Sequence, residues 1–261
     1  MRCALLLLAL TACGSDSSTQ ASEATTPPLE PPSETVPSCT GDVREVSFST
    51  ADGETLAADH HVAAEPGRGA IVLFHMIPPG NDRTGYPKRV REVLSDLGVT
   101  VLNVDRRGAG ASSGDPESAY TGAGARLDME AAVRYLLDED AGCTVSPDKL
   151  LLVGASNGTT SVHDYTAEHD TALPDPAAVV WMSPGTYTEA QVPVTGSETE
   201  ATPVLWLYPT NEPYSGDFIG GSSSWEFVER GSAHGTQMFD GGQLEADTVA
   251  DLVSWVERWI L

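Results

Sequence analysis

Leu150-Leu151-Leu152-Val153-Gly154-Ala155-Ser156-Asn157-Gly158 is the stretch on which the fold turns. Its first four residues are apolar without alternation, as in a strand buried on both faces. Its last five follow the spacing Gly-x-Ser-x-Gly. In that spacing a sharp strand-to-helix turn exposes a serine hydroxyl, and the flanking glycines avoid backbone clashes.

On either side of this stretch, short strand-like runs alternate with longer helical patterns. Residues 43–49 and 54–63 flank Ala51-Asp52-Gly53 and read as a hairpin. The run 69–75, GAIVLFH, reads as a second doubly buried strand. Further strands are expected over 99–104, 149–153, 178–182, 203–208 and 225–229, and helices over 86–97, 125–137, onward from Ser156, and over 244–260. In the last helix Leu252, Val256 and Trp259 recur at helical spacing and mark a core face. The alternation predicts an α/β protein: one domain with a mostly parallel sheet of about eight strands and helices on both faces. Functional residues then belong just after strands, at their carboxyl ends.

A serine nucleophile needs a base, and chain order sorts the six histidines. His163 and His169 sit in the helix that Ser156 opens and are carried away from it at 1.5 Å per residue. His60 and His61 lie in the early hairpin, and His75 ends an early strand. His234, in the Gly-flanked loop Gly231-Ser232-Ala233-His234-Gly235-Thr236, follows the last strand and gives the order Ser, acid, His. The acid that orients the imidazole is expected from the loop after strand 203–208. Glu212 is the candidate and Asp217, on the same loop, the runner-up. Oxyanion stabilisation calls for backbone N–H groups. Asn157 supplies one by following the nucleophile. In the loop Met76-Ile77-Pro78-Pro79-Gly80 the prolines have no N–H, which leaves Ile77, with Met76 second.

The chain has 261 residues, 40% of them hydrophobic, with 38 Asp+Glu against 14 Lys+Arg and a formal charge of −24. This excludes a wholly disordered chain and provides for a large core. It also excludes a general nucleic-acid binder, which needs clustered Lys and Arg. The acidity implies a soluble, self-repelling surface, unsuited to large polyanions.

Residues 1–12 combine Arg2 with an apolar run of about nine residues, far short of the ~20 that span a bilayer, and read as an export signal. Leu10-Thr11-Ala12-Cys13 resembles the lipobox of bacterial lipoproteins. The resemblance implies that Cys13 is lipidated and anchors the chain to a membrane of the bacterial cell envelope; a plain export signal is the alternative. Residues 13–38, dense in Ser, Thr, Pro and Glu, read as a flexible tether, and 39–261 as the catalytic domain. Cys3 leaves with the signal and Cys13 takes lipid. Cys39 and Cys143 are then expected to form a disulfide in an exported compartment, with two buried thiols as the alternative.

Residues 43–261 resemble the α/β-hydrolase superfamily, particularly its compact bacterial dienelactone-hydrolase-like and esterase-like members. Besides Gly154-Ala155-Ser156-Asn157-Gly158, the stretch Asp105-Arg106-Arg107-Gly108-Ala109-Gly110-Ala111-Ser112 is similar to the Asp-x-Arg-Gly-x-Gly-x-Ser segment after the family's fourth strand. Ser183-Pro184-Gly185 and Ala233-His234-Gly235 match in position. The chain departs in having His75-Met76 where many relatives have His-Gly, and Glu212 where most have Asp. About twenty residues separate Ser183 from Pro203, where many relatives insert a lid. The resemblance implies an α/β-hydrolase fold without a large lid and an open site for small or extended substrates.

The expected function is a serine hydrolase, foremost a carboxylic-ester hydrolase that forms a covalent acyl-enzyme on a small ester-like substrate without a cofactor. One alternative is a peptidase or a dienelactone or other lactone hydrolase on the same triad. Arg83 or Arg107 would then be the candidate to hold an anionic substrate, although Arg107 also fits a loop-stabilising part. Another alternative is a catalytically silent, surface-binding lipoprotein. No metal site is expected. Asp59-His60-His61 is the one compact ligand cluster, and neighbours on a strand point to opposite faces. Gly108-Ala109-Gly110 lacks the third glycine of a dinucleotide fingerprint.

Overall fold

The hairpin at the start of the domain is formed by β1 (Val43–Ser49) and β2 (Thr55–His61), paired antiparallel with Ser49 opposite Thr55. In this computed structural model residues 39–138, 142–185, 201–212 and 224–261 are described, all within the unit Val36–Leu261. Cys13, the expected signal and tether, the 186–200 interval and Asp217 lie outside them.

Six further strands follow: β3 (Arg68–Phe74), β4 (Thr100–Val104), β5 (Val145–Ala155), β6 (Ala178–Met182), β7 (Val204–Tyr208) and β8 (Trp225–Glu229). They join the hairpin in one eight-stranded sheet of order β1-β2-β4-β3-β5-β6-β7-β8. Within the sheet β2 pairs antiparallel with β4, and every pair from β4 to β8 is parallel. Among the described residues the α-helices are α1 (Lys88–Ser95), α2 (Gly124–Leu137), α3 (Gly158–Glu168) and α4 (Gly242–Trp259).

The central strands are buried on both sides, which explains their unbroken apolar runs. Along β5, Leu150 and Leu152 face a core shared with Met129 of α2 and Val162 of α3. Leu151 and Val153 face the opposite core, with Val90 of α1 and Val256 of α4. Each such side chain contributes about 1.5–3 kcal/mol by leaving water. Two sheet faces covered by two pairs of helices give the predicted α/β architecture.

Several boundaries differ from expectation for local reasons. Helix α1 begins at Lys88 rather than at residue 86, because Tyr86 precedes Pro87 and is held extended at φ −93°, ψ 100°. Strand β5 starts at Val145, four residues early. Val145 pairs with Arg68 across an irregularity that accommodates Pro147, which looks like a turn in the sequence. In α4 the core seats go to Leu252, Trp255 and Val256, whereas Trp259 is half-buried and packs against them from the edge.

The topology creates a crevice. After β3 the chain crosses to the α1 face; after the adjacent β5 it crosses to the α3 face. Neighbouring strands whose connections part to opposite faces leave a cleft at their carboxyl ends. The segments entering that cleft are Met76-Ile77 after β3 and Ser156-Asn157 after β5.

Candidate active site

The turn after β5 is tighter than ordinary strand-to-helix geometry. Ser156 has φ +51°, in the left-handed region that side-chain-bearing residues rarely adopt. Helix α3 accordingly starts at Gly158 and not at Ser156. The backbone is held by the Ser156 N–H donating to the Met182 carbonyl at 2.7 Å and by Thr159 Oγ1 donating to the Ser156 carbonyl at 2.7 Å. Both flanking glycines are obligatory. A Cβ on Gly154 would lie 2.5 Å from the Gly158 carbonyl oxygen, and one on Gly158 would lie 2.5 Å from that of His75. Glycine here brings the turn against its own next residues and against the end of β3.

Ser156, His234 and Glu212 come together from three separate loops. Ser156 Oγ is 2.7 Å from His234 Nε2, and His234 Nδ1 is 2.7 Å from Glu212 Oε2. With an ionised carboxylate at Nδ1 the imidazole carries its proton there, and Nε2 accepts the serine hydroxyl. Ser156 is only 6% exposed, whereas the His234 and Glu212 side chains are 30% and 42% exposed, so the chain of hydrogen bonds opens to solvent at its carboxylate end.

His234 is held on its far side as well. The N–H of Gly235 donates to Ser183 Oγ at 2.8 Å, and Ser183 itself has φ +52° with its N–H donating to the Leu207 carbonyl. The Gln237 side chain reaches back to the His234 N–H at 3.4 Å. A Cβ on Gly235 would lie 2.7 Å from Met76 Sδ and 3.5 Å from Ser156 Cβ, so the loop after β3 reaches the neighbourhood of Ser156.

That loop is pinned through its carbonyls. His75, fully buried, donates from Nδ1 to the Met76 carbonyl at 2.8 Å and accepts the Arg106 N–H at Nε2, 2.9 Å. Both ring nitrogens are satisfied by the neutral form. Burial, with the Arg106 charge adding to it, pushes the His75 pKa down to about 3. Arg106, also without exposure, donates from Nη1 to Asn157 Oδ1 at 2.7 Å and to the Met76 carbonyl at 3.4 Å, and from Nη2 to the Ala119 carbonyl at 2.6 Å. Fixing the Met76 carbonyl fixes the peptide plane whose other end is the Ile77 N–H. The Ile77 carbonyl accepts from Asn81 Nδ2 at 2.8 Å. Among the described residues the N–H groups of Met76, Ile77 and Asn157 have no protein acceptor.

Other singled-out residues lie elsewhere. His163 is buried in α3 with its ring 5.8 Å from Trp181, and His169 stacks on Tyr165 at the end of that helix. His60 Nδ1 meets Tyr135 Oη at 2.9 Å, Asp59 pairs with Arg83 and Arg91, and among the described residues no three ligand-type side chains converge on a metal-sized site. Arg83 and Arg107 are not available to an anionic substrate. Arg83 binds Asp105, Asp59 and Glu45; Arg107 binds Asp128 and Asp52. Burial pushes the Asp128 carboxyl up to about 6, against the pull of Arg107. Cys39 and Cys143 form the expected disulfide, beside Val62 and Ala63.

The sequence carried no direct sign of the contacts made by Ser183 and Arg106. Ser183-Pro184-Gly185 matches the superfamily in position without indicating a partner, and Arg106 meets Asn157 51 residues away. The available hint was a charged pair, Arg106-Arg107, directly after a fully apolar strand.

No protein-family model matches the chain, and neither does any curated protein sequence. Solved structures do. The Pyrococcus furiosus esterase Pf2001 superposes with a TM-score of 0.65 at 17% identity, over 85% of this chain and 95% of that one. The alpha/beta hydrolase GrgF from Penicillium sp. sh18 gives 0.65 at 15% identity, over 84% and 99%. A bacterial heroin esterase gives 0.63 at 16% identity, over 86% of each chain. Sheet order, strand directions and these superpositions agree that the chain has the α/β-hydrolase fold.

Proposed function

We propose that this protein is a serine hydrolase that cleaves carboxylic esters through a covalent acyl-enzyme, with Ser156 as nucleophile, His234 as base and Glu212 as its orienting acid. The observation that carries the reading is the unbroken line of hydrogen bonds from Ser156 Oγ through His234 to Glu212, both 2.7 Å long. Ser156 Oγ attacks the acyl carbon while its proton passes to His234 Nε2. The imidazolium, steadied by Glu212, gives that proton to the departing alcohol. Water then enters, loses a proton to His234 and releases the acid, restoring Ser156.

The developing oxyanion is taken up by the N–H groups of Asn157 and Ile77. Pinning of the Met76 carbonyl by His75 and Arg106 supports Ile77 over Met76, because it orients the peptide plane that carries the Ile77 N–H. That the solved neighbours include proteins described as esterases agrees with this reading.

The test is turnover of p-nitrophenyl acetate by the wild-type chain and by Ser156→Ala. Turnover by the wild type with a loss of at least about a thousandfold in the variant is expected. Equal rates overturn the assignment. For location, the reading adopts the lipidated Cys13 tether, tested by incorporation of radiolabelled palmitate in a bacterial host; label that persists in Cys13→Ser refutes it.

A further inference from the structure

The chain has 14 Lys and Arg residues against 38 Asp and Glu. Four arginines stand in or beside the loops at the carboxyl ends of the strands, where Ser156 lies: Arg83, Arg106, Arg107 and Arg230. Each is already committed. Arg83 is held by Glu45 at 2.7 Å, Asp105 at 3.0 Å and Asp59 at 3.2 Å. Arg107 is held by Asp52 and Asp128, each at 2.7 Å. Both oxygens of Asp251 bind Arg230, at 2.6 and 2.7 Å. Arg106 has no exposure, and its Nη atoms serve Asn157 and two backbone carbonyls. At the start of α1, Lys88 lies 3.4 Å from Glu92 and Arg89 2.5 Å from Glu245.

At this end of the sheet, then, the described residues offer no cation that is both solvent-facing and unpaired. The sequence of 186–200 and 213–223, outside the described residues, contains neither Lys nor Arg. Glu212, in the site itself, is 42% exposed. An anionic group brought to Ser156 would shed hydration without gaining a counter-charge, and it would approach through a field of its own sign. A neutral group meets no such penalty, and a cation is drawn in.

We infer that the Ser156 site takes neutral or cationic esters and discriminates against esters bearing a carboxylate or phosphate near the scissile bond. The inference rests on the hydrolase reading and adds the charge class of the substrate. It also argues against the version of the lactonase reading in which Arg83 or Arg107 receives a substrate anion.

The test compares kcat/KM of the full chain for two matched pairs. One pair is p-nitrophenyl valerate and p-nitrophenyl hydrogen glutarate, which differ by a terminal carboxylate. The other is butyrylthiocholine and its uncharged 3,3-dimethylbutyl thioester analogue. The glutarate is expected to fall at least about tenfold below the valerate, with the gap narrowing as salt rises, and the cationic thioester to equal or exceed its neutral analogue. A glutarate turned over as fast as the valerate overturns the inference.

A second measurement needs no turnover. It compares sulfonylation of Ser156 by benzenesulfonyl fluoride, its 4-carboxy derivative and its 4-(2-aminoethyl) derivative, each rate divided by that reagent's hydrolysis rate in buffer. The carboxylate is expected to be slowest, and equal corrected rates overturn the inference. The Ser156→Ala chain separates the two ideas. Reaction that survives in it refutes the hydrolase reading, whereas Ser156-dependent reaction blind to charge refutes only the charge class.

Discussion

Ser183 keeps an unfavourable backbone conformation for a residue with a side chain, φ +52°, and its hydroxyl accepts the N–H of Gly235, the residue after His234. A left-handed serine costs of order 1 kcal/mol, which glycine would relieve. Ser183→Gly is therefore expected to stay within about 1 kcal/mol of wild-type stability in urea while kcat falls about tenfold at unchanged KM, because His234 loses the tether behind it. Unaltered kcat would show that the hydroxyl does not position the histidine. Glu212 invites a different expectation. Its side chain is 42% exposed, so its charge acts through a higher dielectric than that of a buried acid. Glu212→Gln should lower kcat by about 10- to 100-fold, well short of the ~10⁴ known for a buried triad aspartate. A steady-state assay of that variant checks it, and a loss near 10⁴ would mean that Glu212 is shielded during the reaction.

The strand-to-helix turn from β5 to α3 is an element whose close approaches leave no slack. A Cβ on Gly158 would sit 2.5 and 2.6 Å from the carbonyl oxygens of His75 and Phe74, backbone atoms of a central strand and the loop that follows it. Gly158→Ala must push α3 away from β3. It is expected to lose about 2–4 kcal/mol of stability and nearly all activity, measured by urea denaturation and ester turnover. This element was also the most legible in the sequence, because the apolar run of β5 and the two glycines are local signals. The strands β1, β6 and β8 fall where their residues predict for the same reason. What stayed illegible depends on distant or conformational facts. The start of α3 is set by the left-handed Ser156, the start of β5 by pairing with Arg68 across Pro147, and the core seat of Trp255 by the direction in which α4 meets the sheet. The candidate triad was readable because chain order and loop position sort histidines. The supports of that triad were not, because His75, Arg106 and Ser183 act through contacts with residues far off in the chain.

Over the whole molecule, two buried histidines tie stability to pH. Burial pushes His75 down to about 3, and burial, helped by the Arg44 charge, pushes His60 down to about 4. Below about pH 6.5 the unfolded chain binds protons at both positions while the native chain does not, so stability is full above that pH and falls as pH drops toward 4. Between pH 7 and pH 5 each should remove about 2 kcal/mol, offset in part by about 1 kcal/mol from Asp128, whose raised pKa makes the native chain take up a proton in that range, so a net loss remains visible in the urea midpoint; a flat profile would contradict the neutral histidine assignments. The Cys39–Cys143 bridge spans 104 residues and lies beside Val62 and Ala63, in a cluster separate from the two main cores. Cys143→Ser should lower stability by about 4.7 kcal/mol on loop entropy. The ester-hydrolysis kcat should stay unchanged, since no bridge residue contacts the candidate triad. The central claim is that the folded chain exists to activate Ser156, and a fluorophosphonate probe followed by intact and peptide mass spectrometry tests it most directly. The account predicts one adduct per native chain, mapped to Ser156 and absent from Ser156→Ala; a folded wild-type chain that takes no label, or a Ser156→Ala chain that takes it equally, would contradict it.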